Sequence, residues 1–320
     1  YERVCEAKGQ GRLSACDLIF PNIEMRLGIG TVKGKWVNIH LLVSPNDPNH
    51  LAELKRFLAR LSFKAYEDSF CCNKDDLIRL GQRCDPSLVN PIVALERGSE
   101  QFKVSLDQLK QAYTDSAWAQ KNILIAVAGS ETDGTSGVRD AADATLRQEV
   151  EKFAHVIFAS SEAQREFWLG RRTATEDELW KLYGGLKPCM HGSDAHAHGT
   201  VGVPDGDRYS WIKGALEFDT LLQACIDPAG RAYVGSEPPV TATPSQVIET
   251  IEILEAPWVK TPILALNPGL VAIIGARGSG KTALADIVAL GCDATHERLS
   301  DASFLVRAND LLEGASVSLR

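Results

Sequence analysis

The run LVAIIGARGSGKTALADIVALG, residues 270 to 291, constrains the fold more than any other stretch of the chain. Five apolar residues, mostly β-branched, lead into a glycine-rich octet, and a helix-forming apolar pattern leaves it. The spacing predicts a strand, a tight loop and a helix in that order. Gly275, Gly278 and Gly280 allow backbone angles closed to other residues, so the loop can turn consecutive N–H groups inward at a helix N-terminus, where they make an anion cradle. Gly275, Ala276, Arg277, Gly278, Ser279, Gly280, Lys281 and Thr282 satisfy every position of GxxxxGK[ST]. Lys281 is expected to reach the outer phosphates of a nucleotide and Thr282 to place its hydroxyl on Mg²⁺, which makes ATP with Mg²⁺ the expected cofactor. A carboxylate that polarises water for hydrolysis is expected beyond residue 320.

Upstream, apolar runs alternate with amphipathic stretches in the rhythm of βα units and a largely parallel sheet. Strands are expected in DLIFPNIEMRL (17 to 27), WVNIHLLV (36 to 43), KNILIAVAG (121 to 129), HVIFAS (155 to 160), PCMHGS (188 to 193) and RYSWIK (208 to 213). Helices are expected between them, in LAELKRFLARL (51 to 61), DDLIRLGQR (75 to 83), SLDQLKQAYTD (105 to 115), AADATLRQEVEKFA (141 to 154), EDELWKLYG (176 to 184) and EFDTLLQACID (217 to 227). A closed barrel and an open doubly wound sheet both fit this rhythm. Pro238, Pro239 and Pro244 in GSEPPVTATPS mark a connection. The expected domains are residues 1–234, a connection over 235–247, and the beginning of a second domain over 248–320.

With 320 residues, 44% of them hydrophobic, the chain can bury two cores. A net charge of -8 argues against a broadly basic nucleic-acid surface, although the local GRR at 170 to 172 could hold phosphates. No apolar run approaches the roughly 18 residues of a membrane span, and the first residues carry neither a signal-peptide core nor a basic leader, so no membrane partner and a cytoplasmic location are expected. Eight scattered cysteines without a CxxC pair read as reduced thiols. The start at Tyr1 and the end soon after the glycine-rich loop suggest a piece of a longer protein.

The chemistry of the first domain gathers around HGSDAHAH, residues 191 to 198. Asp194 and His196 are two apart, so in an extended segment they project to one side and can share a metal. His191 and His198 flank them. Glu24 in FPNIEMRL and His40 in VNIHLLV are polar groups inside β-type runs, costly to bury unless paired or ligated. Each alone also fits the solvated face of an edge strand, since Asn38 lies on the face of His40 and Asn22 on that of Glu24. Together with SDAH they favour a metal site.

FPNIEMRL, VNIHLLV and KPCMHGSDAH resemble the later metal-binding motifs of the PHP (polymerase and histidinol phosphatase) domain family. With RYSWIKG, the proline-rich joint and LNPGLVAIIGARGSGKT, the chain resembles TrlF-like proteins, in which a PHP phosphoesterase domain is fused to an AAA-like or SMC-like ATPase. The resemblance implies an α/β fold: an incomplete, distorted (β/α)7 PHP barrel, followed by the start of a P-loop NTPase domain. It implies Glu24, His40, Asp194 and His196 as metal ligands, Asp194 and His196 as catalytic residues, and Mn²⁺, Zn²⁺ or Fe²⁺ as the metal. It also implies a phosphoester substrate, nucleic acid among the candidates, and a homodimer formed through the ATPase domain. The family's opening HxH strand and later Thr-Asp-His are expected before Tyr1. A further family histidine has no counterpart in ILIAVAGS, with His155 in the next strand as the available substitute. A metal-dependent phosphoesterase coupled to an ATPase is the first functional expectation. The alternative is a nucleotide-driven DNA-binding or clamp-like ATPase, whose barrel is a degenerate structural or recognition module.

Overall fold

The structure, a computed structural model, describes residues 1–138, 144–239, 247–267, 269–294 and 301–320. It divides into two units, Tyr1–Pro238 and Pro239–Arg320. The strands of the first unit are β1 (Asn22–Gly30), β2 (Trp36–Val43), β3 (Ser62–Ala65), β4 (Asp68–Cys71), β5 (Ile123–Ala128), β6 (Val156–Phe158), β7 (Cys189–Met190), β8 (Tyr209–Ile212) and β9 (Ala232–Gly235). Its helices are α1 (Glu2–Gly9), α2 (His50–Leu58), α3 (Lys74–Cys84), α4 (Pro91–Gln101), α5 (Leu106–Thr114), α6 (Ala117–Asn122), α7 (Ala144–Phe153), α8 (Glu162–Trp168), α9 (Glu176–Tyr183), α10 (Asp219–Ile226) and α11 (Pro228–Arg231). Residues 141 to 143 of the helix expected over 141 to 154 lie outside the described residues.

Five strands form one sheet in the order β1-β2-β5-β6-β7. The class is mixed α/β, but the described residues form no closed barrel and the sheet is not largely parallel. β1 pairs with β2 and β2 with β5 antiparallel, and only β5, β6 and β7 run parallel. The physical reason at the first pair is loop length. Residues 31 to 35 can make a hairpin, whereas a parallel return needs a crossover of about a dozen residues or more. β1 begins at Asn22 rather than at residue 17, because Pro21 has no N–H to give a ladder; its carbonyl still accepts from the Val43 N–H at 2.9 Å.

Alternation decides what each face of the sheet does. Val37, Ile39, Leu41 and Val43 of β2 are fully buried, and with Leu27, Ile125, Val127 and Ile157 they form the large core against the helices. The opposite face divides in two. Leu42, Leu124, Ala126, Val156 and Met190 pack against Phe218 at the N-cap of α10, Ala224 of α10 and Ala232 of β9. Nearer β1, the same face carries Glu24, Asn38 and His40.

The helices start where their caps stand. Asn73, Asn90, Ser105 and Ser161 each accept an N–H of the first turn, and Pro91 fits the first turn of α4 because an N–H there has no helical partner. Thr175 and Glu178 form a reciprocal capping box on α9, which Gly184 ends in the left-handed conformation. α3 and α4 cross at Gly81 and Gly98. A Cβ at Gly81 would run into the Ala94 carbonyl, and one at Gly98 into the Leu77 carbonyl, so both positions require glycine.

In the second unit, β10 (Thr250–Leu254), β11 (Ile263–Ala265) and β12 (Ser316–Leu319) form an antiparallel sheet in the order β11-β10-β12. Ile251 and Ile253 pack against Ile287 of α12 (Lys281–Gly291) and Phe304 of α13 (Phe304–Arg307). The strand expected over LVAII does not form: Leu270 is 90% exposed and Ile274 88%. Among the described residues no strand lies alongside to take its N–H and C=O groups, and apolar composition alone cannot supply a ladder. Residues 240 to 246 of the expected connection lie outside the described residues. All eight cysteines are free, and among the described residues no helix is long and apolar enough to cross a membrane.

Candidate functional site

The β1–β2 hairpin sets Glu24 directly opposite His40, and β2–β5 pairing sets His40 opposite Ala126. The small Ala126 leaves the imidazole room on the sheet surface, and Phe158 of β6 packs on its ring at 4.7 Å between centroids. Burial pushes the His40 pKa below its usual value, opposed by the charges of Glu24, Asp133 and Asp194. The ring is therefore held neutral, the form in which imidazole ligates metals. His40 Nδ1 is buried and has no hydrogen-bond partner among the described residues, a cost that a ligand on that nitrogen would remove.

Asn38, on the same face, organises the neighbouring carboxylates. Its Nδ2 donates to Glu24 Oε1 at 2.9 Å and to Asp133 Oδ2 at 3.2 Å, while its backbone N–H donates to the Asp133 carbonyl at 2.7 Å. Asp133 Oδ1 also accepts from Ser130 Oγ at 2.6 Å. Asp133 is absent from the residues that the sequence singles out. It lies in a glycine-flanked turn beyond β5, and its proximity to Asn38 exists only once β2 and β5 pair. The one signal for it is a carboxylate in SETDG, just after the ILIAVAGS run that lacks a histidine.

HGSDAHAH leaves β7 and is tied to β8. The His191 N–H donates to Ser210 Oγ at 2.6 Å, and Ser210 Oγ donates back to the His191 carbonyl at 2.9 Å. The segment is not extended through Asp194, which takes φ +42°. Asp194 and His196 still approach each other, with Oδ2 and Nε2 3.9 Å apart, but both side chains are more than nine-tenths exposed. His191 is better enclosed: its Nε2 is buried without a partner among the described residues, and burial followed by the charge of Arg208 lowers its pKa. His198 is exposed in the following turn.

Glu24, His40 and Asp133 thus share one patch, and Asp194 lies within electrostatic reach of His40. Among the described residues, His196 approaches only Asp194. Among the described residues no group of three or more His, Cys, Asp or Glu side chains converges closely enough to hold a metal ion as the side chains stand. The donor chemistry nevertheless suits a divalent cation, since carboxylates surround a neutral imidazole with an unpartnered buried nitrogen. His155 does not belong to the site. Its Nδ1 accepts from the Ile125 N–H at 2.9 Å, and burial lowers its pKa to about 4.

The glycine-rich loop occupies the second unit. Gly278 and Gly280 take φ near +85° and +88°, in the left-handed region. Lys281 curls back, its Nζ donating to the Gly275 and Ala276 carbonyls at 2.7 Å each. Thr282 follows it in the first turn of α12.

Comparison with known proteins finds no matching family model, no matching curated protein and no matching solved structure.

Proposed function

We propose that the chain is a metal-dependent phosphoesterase coupled to a nucleotide-binding unit, of the PHP–ATPase kind its motifs resemble. The observation that carries this reading is His40: neutral, with Nδ1 buried and unpartnered, opposite Glu24 and under the charges of Asp133 and Asp194. Glu24, His40, Asp194 and His196 would hold Mn²⁺, Zn²⁺ or Fe²⁺, with Asp133 as a further carboxylate. A bound divalent ion supplies Lewis-acid polarisation of a phosphoryl oxygen and a more acidic water. Asn38 keeps Glu24 and Asp133 oriented by donating to both. Burial keeps the His40 nitrogen free of a proton, as a metal ligand must be, and Asp194 and His196, exposed side by side, are the pair open to an incoming substrate. The glycine-rich loop is read as the site for ATP with Mg²⁺, and self-association through that unit belongs to the same reading.

The test uses the full chain with Mn²⁺ or Zn²⁺ against model phosphoesters and oligonucleotides, alongside elemental analysis. Hydrolysis is expected, with His40→Ala and Asp194→Ala each losing bound metal and at least about tenfold in rate. If the chain hydrolyses nothing, and metal removal only lowers its melting temperature, the patch is a structural or recognition module and the clamp-like alternative replaces this reading. In a separate measurement, Lys281→Ala is expected to weaken ATP binding by on the order of tenfold or more, since a charge-assisted contact to phosphate disappears. Unchanged ATP affinity in that variant would remove the nucleotide-binding part.

A further inference from the structure

A cavity of about 440 Å³ lies beside the turn that follows β5, lined by Thr135, Arg147, Phe167, Trp168, Arg172 and Thr173 among others. Gln164 and Glu151 in the lining are already paired, but its two arginines keep N–H donors without a partner among the described residues. Arg147 uses only Nε, which donates at 3.0 Å to Glu151, a carboxylate whose side chain is 2% exposed. This bond fixes the guanidinium and leaves its terminal N–H groups without a partner among the described residues. Arg172 makes no hydrogen bond or ion pair to any described residue, whereas its neighbour Arg171 lies 3.7 Å from Glu166, which also accepts from Arg165 at 3.0 Å. Thr135, 2% exposed, also lines the cavity.

The backbone holds Arg172 in place. Gly170 turns at φ +70°, where a Cβ would press on the Glu176 backbone, and Arg171 then bridges to Thr175, the cap of α9. Arg172 and Thr173 form the tip of that short loop. A smaller hollow that also touches Arg172 is lined by Glu162 and Glu166. Glu166 is already paired, so Glu162 is the opposing charge there.

Two guanidiniums whose terminal N–H groups have no partner among the described residues match the many acceptor lone pairs of a phosphate oxyanion. The volume lies within the range of small-ligand pockets and exceeds what a bare phosphate fills. The half-buried Phe167 adds a flat apolar wall. We infer that this cavity, whose lining includes none of Glu24, His40, Asp133 or the glycine-rich loop, is an anion site for a phosphate group carried on an organic body of nucleotide size. The site needs no metal.

Calorimetric titration of the full chain tests this, in EDTA and with Lys281→Ala so that neither other site contributes. The probes are inorganic phosphate, thymidine 5′-monophosphate and a short oligothymidylate. Thymidine monophosphate is expected to bind, and Arg172→Ala to weaken it by on the order of tenfold. Arg172→Lys should recover part of the affinity and Arg171→Ala should change nothing. A tighter oligothymidylate would identify a nucleic-acid strand as the source of the phosphate, and equal affinity a free nucleotide. Arg172 is exposed, so its variants should melt like the parent. The inference is overturned if thymidine monophosphate and oligothymidylate both fail to bind, or if they bind equally well to Arg172→Ala. Because metal is absent throughout, neither result bears on the phosphoesterase reading.

Discussion

Gly98→Ala is expected to destabilise the first unit by about 3 kcal/mol, against the ordinary trend in which alanine improves a helix by roughly 1 kcal/mol over glycine. The sign reverses because the space a methyl would occupy already holds the Leu77 carbonyl, and the reciprocal position, Gly81, faces the Ala94 carbonyl in the same way. Neither obstacle is a side-chain tip that could swing aside. To admit a Cβ the two helices must separate, and separation loosens Leu80 and Ala94, both fully buried beside the crossing. For a unit of this size the change corresponds to a fall of about 10 °C in melting temperature, read by circular dichroism. Gly9→Ala is the control: a Cβ there meets nothing within 4 Å, so its melting temperature should stay level or rise. Equal melting of Gly98→Ala and the parent would mean that α3 and α4 do not pack as described.

Acid should destabilise the same unit through His155. Its Nδ1 accepts the Ile125 N–H, so protonation would force a donor against a donor inside the fold. The folded-state pKa near 4 lies below the ordinary value of 6.5. Below 6.5 the unfolded chain therefore takes up a proton that the folded chain refuses. The stability contributed by the neutral ring is whole above about pH 6.5 and is lost as the pH falls through about 4, a loss of about 3 kcal/mol. Chemical denaturation at pH 7 and pH 4 measures it. His155→Gln keeps an acceptor for the Ile125 N–H but cannot titrate, so its loss between the two pH values should be smaller by about that amount. An unchanged acid profile in the variant would assign the titration to other groups.

Where local chemistry decides structure, the chain is legible. WVNIHLLV is a strand over the whole expected range, because its alternation suits a sheet covered on one face by helices and on part of the other by α10. EDELWKLYG is a helix because its cap, its acidic first turn and its terminal glycine agree. Strand direction is not legible: apolar rhythm marks strands without saying how the chain returns, and while the short β1–β2 connection settles that pair, the long connection between β2 and β5 allows either direction. The strand at LVAII fails for want of a neighbour, which no property of those five residues can provide.

The candidate site divides along the same line. Periodicity alone places Asn38 with His40 and Glu24 with Asn22, each pair on one face of its own strand, and the hairpin register then brings Glu24 opposite His40. Asp133 cannot be placed in this way, because a turn residue gains its neighbours from tertiary pairing. SDAH departs from its expected geometry because the left-handed Asp194 breaks the two-residue repeat of an extended segment. His155 and His40 are both enclosed histidines near strands. Only the hydrogen-bond partner of the first, and the lack of one for Nδ1 of the second, separates a structural ring from a candidate ligand.

The polar face of β2 has a consequence for folding fidelity. A one-residue slip of this strand against β1 or β5 would exchange its faces, driving Asn38 and His40 into the helical core and turning Ile39 and Leu41 outward. Such a slip desolvates an amide and an imidazole and breaks the hydrogen bond from Asn38 to Glu24, so every odd-numbered misalignment is penalised. An all-apolar β2 would tolerate such slips more readily. The residues that make the patch chemically useful therefore also help the chain reject its nearest misfolded neighbours.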